Sequence, residues 1–118
     1  MELQEVVYKI SPNEMTINLQ NESNEAYRYG SFYRVETMQD GKWYMVNYPE
    51  NTFEKFPYFN DMGYTLDPKE MVTQQFSIET YGLYLPAGNY RLTKTFLSPF
   101  SAGNEITLSV PFEVIGEN

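Results

Sequence analysis

The feature that most constrains the fold is a tight corner followed by a strand, within residues 81–94. The corner is Leu-Pro-Ala-Gly at 85–88, where proline pre-sets one backbone angle and glycine tolerates the positive φ that a reversal often needs. Tyr90, Leu92 and Phe96 then recur at period two, as in a strand with one buried face. A tyrosine just after such a corner can bury its ring and return its hydroxyl to the backbone of the corner. Any tight hairpin with a tyrosine in this place would show the same pattern.

Alternation of apolar and polar residues recurs along the rest of the chain, interrupted by turn signals. The apolar positions of the other predicted strands are Val6, Tyr8 and Ile10; Met15, Ile17 and Leu19; Tyr29, Tyr33 and Val35; Val72, Phe76 and Ile78; and Ile106, Leu108, Val110, Phe112 and Val114. Asp40-Gly41 separates two such runs, 29–38 and 42–48, and predicts a hairpin with a type I′ turn. Pro111 cannot donate to a ladder, so it should lie at an edge or a bulge.

Seven or eight short strands with turn signals every 8–12 residues or so predict an all-β, two-sheet antiparallel sandwich. No window shows helical periodicity over ten residues or so, and a short helical turn near 68–70 is the most the pattern allows. A loop is predicted through 98–104. At 118 residues, 42% of them apolar, the chain can form one domain over 1–118 that buries roughly 65% of its unfolded surface.

Charge and composition narrow the classes of function. Sixteen acidic and eight basic residues give a formal net charge of −8, which repels nucleic acid and anionic membrane surfaces unless a basic patch exists, and none is seen. The chain has no cysteine and no histidine, which removes disulfides, thiolate chemistry and the usual general base. The acidic residues show no calcium-loop spacing. We expect no cofactor, no metal, no nucleic acid, no direct membrane insertion and a monomeric state.

The first residues have neither the basic nor the apolar region of a signal peptide. No apolar run approaches the ~18 residues of a membrane span. The chain is therefore either cytosolic or, as we expect, an extracytoplasmic domain, secreted or anchored at the cell surface, with its export signal outside this sequence.

The segment 48–66 is the least regular part of the sequence. Its prolines and asparagines argue against a regular element, yet its central part, residues 53–59, carries four aromatic residues. These are Phe53, Phe56, Tyr58 and Phe59. Aromatic residues in a loop either pack beneath it as a second small core or face a partner. Trp43 allows the same two interpretations, covering one end of the core or stacking on a ligand.

The positions of Lys94 and Arg91 test which face of the predicted strand is buried. Lys94 shares the parity of Tyr90 and Leu92, and an unpaired buried ammonium is very costly. We therefore expect Lys94 near a sheet end, with its stem packed and its head in solvent. Arg91 has the opposite parity and should point outward, with Glu36 as its cross-strand partner.

Several short pieces between about residues 13 and 115 carry a resemblance in their order and spacing. They are Tyr29-Gly30, Val35-Glu36, Asp40-Gly41-Lys42-Trp43-Tyr44, Gly63-Tyr64-Thr65-Leu66, Tyr81-Gly82, Leu85-Pro86-Ala87-Gly88-Asn89-Tyr90-Arg91 and Pro111-Phe112-Glu113-Val114. Together they resemble the bacterial immunoglobulin-like domains of secreted proteins and lipoproteins of Gram-positive bacteria. The resemblance implies an immunoglobulin-like two-sheet β-sandwich on an extracytoplasmic protein, with Tyr90 as a tyrosine corner. It implies no activity and carries over no functional residue.

In disulfide-bearing immunoglobulin domains the second cysteine lies two residues after the corner tyrosine. Leu92 stands at that place here, and Ile17 is its expected partner on the opposite strand. An apolar contact would then replace the disulfide.

Two classes of function fit these observations. The first is a non-catalytic module of an exported bacterial protein, acting as a spacer, adhesion or accessory interaction domain with a protein or glycan partner. The alternative is a glycan- or peptide-binding module that uses the aromatic loop 48–66. Its predicted ligand contacts are Trp43, Phe53, Phe56, Tyr58 and Phe59.

An enzyme is disfavoured, because no carboxylate pair has a context that would raise one pKa, and we predict no catalytic residue. A loop-based protease inhibitor is disfavoured too, since glycine-rich loop signatures are missing.

Overall fold

A computed structural model describes residues 1–59, 61–98 and 105–116, and these form two β-sheets and one short helix. The elements are β1 (Glu2–Leu3), β2 (Val7–Tyr8), β3 (Glu14–Gln20), β4 (Tyr27–Tyr29), β5 (Arg34–Gln39), β6 (Lys42–Met45), α1 (Thr52–Lys55), β7 (Tyr64–Leu66), β8 (Met71–Ser77), β9 (Gly88–Leu97) and β10 (Glu105–Val114). The first sheet has the order β1-β3-β8. In the second, β9 lies between β10 on one side and β4 and β5 on the other.

The sandwich predicted from alternation is confirmed. Strand pairs are antiparallel apart from β2 with β10, which is parallel. Ile17 from the first sheet and Leu92 from the second are both fully buried in one core. Burying two such side chains contributes roughly 1.5–3 kcal/mol each, comparable to a disulfide.

The hairpin between β5 and β6 has the predicted turn, but it pairs residues 36–39 with 42–45 rather than 29–38 with 42–48. Gln39 pairs with Lys42, and the two residues between them have the left-handed backbone of a type I′ turn. Their φ angles are 52° at Asp40 and 78° at Gly41.

The strand predicted over 29–38 is broken by a bend. β4 meets β9 at Leu97, whereas β5 meets it at residues 90–93. Gly30 lies in the bend, buried, and a Cβ there would overlap the carbonyl oxygen of Asp61. The alternation continues through the bend, so it conceals the break.

The N-terminal strand predicted over 6–10 is wrong in extent. Only Val7–Tyr8 is a strand, and Val6 and Ile10 are exposed. The cause is the path of the chain, which pairs with the first sheet at β1 before reaching the second at β2.

Two other expectations concern irregular segments. The short helix lies at Thr52–Lys55 rather than near 68–70, where the chain makes a turn with Lys69 at φ 66°. The loop predicted through 98–104 falls, after Ser98, outside the described residues.

β10 is buried on its inner face only in its second half. Phe112 and Val114 are buried, but Ile106 and Leu108 are 41% and 40% exposed. Pro111 lies on the edge of β10 that faces away from β9, beyond the short pairing with β2, so the edge prediction is confirmed.

Candidate functional site

The outer face of the second sheet carries a compact charged cluster: Glu36, Arg91, Thr93 and Arg34. Arg91 Nε donates to Glu36 Oε1 at 2.9 Å, which confirms the predicted cross-strand pair. Thr93 Oγ1 donates to the same oxygen at 2.7 Å, and Arg34 Nε lies 3.8 Å from Glu36 Oε2. The strand register of β5 and β9 places these groups side by side.

The electrostatics of this charged cluster are those of a structural ion pair. Burial of Glu36 opposes its charge, but the hydrogen bonds from Arg91 and Thr93 and the two guanidinium charges outweigh it. The pKa of the Glu36 carboxyl is therefore lowered. An ionised carboxylate whose lone pairs are already engaged is a poor general base. The cluster fixes the sheet face and offers no free catalytic group.

Trp43 lies on the same outer face, on β6 opposite Met38. The guanidinium carbon of Arg91 is 4.4 Å from the centroid of the Trp43 ring, a cation–π contact. Trp43 is half-buried and lies outside the core cluster. The expectation that it covers one end of the core is wrong, because the register of β5 with β6 turns its side chain outward.

The aromatic loop packs largely beneath itself. Phe59 is 3% exposed, and its ring stacks on Tyr81 with centroids 3.8 Å apart. Phe56 meets Tyr81 edge-on at 5.0 Å, and Phe53 contacts Tyr48 at 6.1 Å. This second small core joins the main one, since Phe59 belongs to both.

The predicted ligand contacts do not share one exposed surface. Phe53 is 41% exposed and Tyr58 78% exposed, whereas Phe59 points into the core. Phe56 is half-buried, and Trp43 lies on the outer face of the second sheet. Ligand binding by these residues stays a prediction, and Phe53 and Tyr58 are the members with surface to offer.

Lys94 contradicts the sequence interpretation. It is 2% exposed, and its Nζ donates to the carbonyl oxygens of Gly30 at 2.6 Å and Phe32 at 3.1 Å. The ammonium also lies 3.9 Å from the centroid of the Tyr33 ring. The ammonium is thus satisfied by the bend between β4 and β5, whose inward carbonyls replace solvent.

The Lys94 environment extends across the sandwich. Gln74 on β8 donates to the Gly30 carbonyl at 3.1 Å and accepts the Tyr33 hydroxyl at 2.5 Å. Burial lowers the pKa of Lys94 to about 7 and raises the pKa of Tyr33. A lysine with such a pKa can serve as a general base, but only where a substrate can reach it. Here the amine is enclosed, so its role is structural.

The corner has the geometry expected of its sequence. Tyr90 is 3% exposed, and its hydroxyl donates to the Pro86 carbonyl at 2.5 Å. A family model described as "Bacterial Ig-like domain" matches residues 1–113 of the 118. The chain belongs to the bacterial Ig-like domain family. No curated protein and no solved structure gives a significant match.

This bacterial Ig-like domain holds its sheets together without cysteine. Tyr90 closes the corner, and Ile17 and Leu92 are both fully buried in the core. That they replace the disulfide of other immunoglobulin domains stays a prediction. Over residues 1–59, 61–98 and 105–116, no helix is long and apolar enough to cross a membrane.

Proposed function

We propose that this domain is a non-catalytic module of an exported bacterial protein, acting outside the cytoplasm as a spacer, adhesion or accessory interaction domain. The observation that carries the proposal is the engagement of the two charged side chains, among the described residues, whose pKa values are shifted. Glu36 is engaged by Arg91 and Thr93, and Lys94 by two backbone carbonyls. Within the described part of the chain, groups held in this way fit a rigid scaffold better than an acid–base pair that acts on a substrate.

The family supports an extracytoplasmic location, and the cysteine-free core is compatible with it. A sandwich held by apolar contacts keeps its stability in oxidising and reducing surroundings alike. The domain acts as a monomer that meets a protein or glycan partner.

Localisation tests this proposal. The full-length gene product should be labelled on intact bacteria, or recovered from the medium, by antibodies raised against residues 1–118. A cytoplasmic marker protein serves as the control for lysis. Recovery of the domain only with that marker, after the cells are broken, would refute an extracytoplasmic role.

A second candidate is a glycan- or peptide-binding module that uses the aromatic loop. The exposure of Phe53 on α1 and of Tyr58 in the turn that follows favours it, since flat rings stack on sugars and apolar side chains. Cell-wall and plant polysaccharides should then shift the amide resonances of residues 50–59. Tyr58→Ala should weaken that binding, and Tyr84→Ala, at another tyrosine that is 75% exposed, should not. Unchanged spectra with every polysaccharide and peptide tested would remove this candidate.

A further inference from the structure

Among residues 1–59, 61–98 and 105–116, no strand lies beside part of one edge of β10. β9 pairs with all ten residues of β10, but β2 pairs only with Glu113 and Val114. The residues before Val7 cross to the first sheet, where β1 pairs with β3. Within the part of the chain that the structure describes, residues 105–112 therefore have a strand on one side only.

Strand alternation identifies the free backbone groups. Glu113 N donates to the Val6 carbonyl, so odd-numbered residues of β10 direct their N–H groups away from β9. Thr107 and Ser109 share that orientation and have no backbone partner on that side among the described residues. Natural sheets protect such edges with proline or a covering strand. Pro111 and β2 do so further along β10, and the protection stops short of Thr107 and Ser109.

The inner side of the same stretch is apolar and only partly covered. Ile106 and Leu108 have the parity of the buried Phe112, yet each is about two-fifths exposed. They border a groove of about 250 Å³ between the two sheets. Its other apolar walls are Met1, Leu19, Tyr27, Leu66 and Phe96. An apolar cavity of roughly 150 Å³ holds a benzene molecule, so this groove has room for aliphatic side chains.

Charge selects the kind of occupant. Glu22 lines the groove, and Glu2 and Glu22 line the depression beside it. Among the described residues, no lysine or arginine lines the groove or the depression. Lys69 approaches this end, but its ammonium donates to the backbone carbonyl of Glu22 rather than to a carboxylate. Together with the net charge of −8, this favours a cationic partner and disfavours a second copy of the chain.

We propose that this edge of β10 binds an extended segment of a partner protein as an additional β-strand. Backbone groups of the segment pair with Thr107 and Ser109, and alternate apolar side chains enter the groove over Ile106 and Leu108. Lysine or arginine at the ends of the segment meets the acidic rim. Such strand addition takes its affinity from main-chain hydrogen bonds and its specificity from pockets for alternate side chains. The inference rests on the proposed role as an interaction module but not on its location, so this binding test and the localisation test fail independently.

The test uses the 118-residue chain labelled with ¹⁵N and a synthetic peptide in which valine or isoleucine alternates with threonine between terminal lysines. We expect saturable amide shifts at 105–109 and around the groove, and new protection of Thr107 and Ser109 from solvent exchange. Two further peptides carry N-methyl groups, one on the odd-numbered and the other on the even-numbered amides. One of them should lose binding and the other should keep it, because an added strand pairs with β10 through only one of its edges. Replacing the lysines by glutamate should weaken binding about tenfold or more.

A matched pair of variants tests the edge itself. Thr107→Pro removes an N–H that faces away from β9 and leaves the ladder with β9 intact, as Pro111 already does. Thr107→Val loses the same hydroxyl contact with Thr95 but keeps the N–H. We expect Thr107→Pro to weaken peptide binding about tenfold or more and Thr107→Val to change it less than about twofold. If Thr107→Pro does not fold, Leu108→Lys at the groove should repel the lysine-flanked peptide to a similar degree.

Three results would overturn the proposal. Amides of Thr107 and Ser109 that are already protected in the free domain would mean that the chain itself covers the edge. A concentration-dependent dimer that protects the same amides would assign the edge to a second copy. No shift at 105–109 with millimolar peptide, or equal binding of both N-methylated peptides, would rule out strand addition.

Discussion

At the scale of the residue, the buried amine of Lys94 makes stability depend on pH. Its pKa is about 7 in the fold against an ordinary value of 10.5, so between these values the unfolded chain binds more protons than the folded one. Stability therefore rises with pH across that window. The destabilisation is complete below about pH 7 and gone above about 10.5. Burial raises the pKa of Tyr33, so ionisation of the unfolded chain reverses the trend above about pH 10.

Denaturant unfolding at pH 7, 8 and 9 checks this directly. We expect the free energy of unfolding to increase by about 2 kcal/mol from pH 7 to pH 9. Lys94→Met removes the titrating group and should show no such increase, whatever its own stability. An equally flat profile for the unmodified protein would show that the Gly30 and Phe32 carbonyls and the Tyr33 ring sustain the charge at its ordinary pKa.

A second residue-scale prediction concerns the corner. Tyr90→Phe deletes the hydroxyl that donates to Pro86 but keeps the ring, which stacks on Phe112 with centroids 5.4 Å apart. We expect a loss of about 1 kcal/mol, the usual net contribution of one hydrogen bond, because Pro86 is an exposed residue and water can replace the hydroxyl. Tyr84→Phe is the matched control, since this nearby tyrosine is 75% exposed and should cost less than about 0.5 kcal/mol. Equal losses in the two variants would contradict a structural role for the corner bond.

At the scale of the element, the bend between β4 and β5 depends on Gly30. A side chain there would overlap the Asp61 carbonyl and push apart the backbone that supplies the acceptors for Lys94. Gly30→Ala should therefore destabilise the fold by about 2 kcal/mol or more. Gly63→Ala is the control, because a Cβ at Gly63 meets no atom within 4 Å. Chemical denaturation compares the two, and a Gly30→Ala loss no greater than that of Gly63→Ala would mean that the bend adjusts freely.

The elements that sequence alone predicts well are those in which local pattern and burial agree. β3, β8 and β9 alternate cleanly because each has one face on the core, and Asp40-Gly41 specifies its hairpin through backbone geometry alone. β10 alternates just as cleanly, yet its first half is exposed. The burial of this half depends on where residues 4–6, distant in sequence, cross from the first sheet to the second. No local pattern in β10 encodes the position of that crossing.

The same distinction explains the candidate sites. Parity within a strand correctly placed Arg91 beside Glu36, because cross-strand neighbours follow from register. Parity also placed Lys94 on the inner face, but the carbonyls that satisfy it come from a bend that alternation hides. Trp43 was misplaced because the hairpin register, rather than its hydrophobicity, decides which face it takes.

At the scale of the whole molecule, two electrostatic effects of opposite sign compete. The net charge of −8 spreads repulsion over the surface, while the charged cluster contains an ion pair in which Arg91 Nε lies 2.9 Å from Glu36 Oε1. Salt screens interactions beyond about 10 Å at 0.1 M and leaves a short, partly buried pair largely intact. Added salt should therefore relieve the repulsion more than it weakens the cluster.

We accordingly expect the free energy of unfolding to increase by roughly 0.5–1 kcal/mol when NaCl is raised from about 10 to 300 mM at constant pH. The variant Glu22→Gln/Glu105→Gln removes two negative charges at exposed positions and so lowers the repulsion. It should be more stable than the unmodified protein at low salt and should gain less from added salt. A fall in stability with salt would contradict this expectation and would mean that the charged cluster around Glu36 outweighs the surface repulsion. In that case Glu36→Gln should abolish the salt dependence.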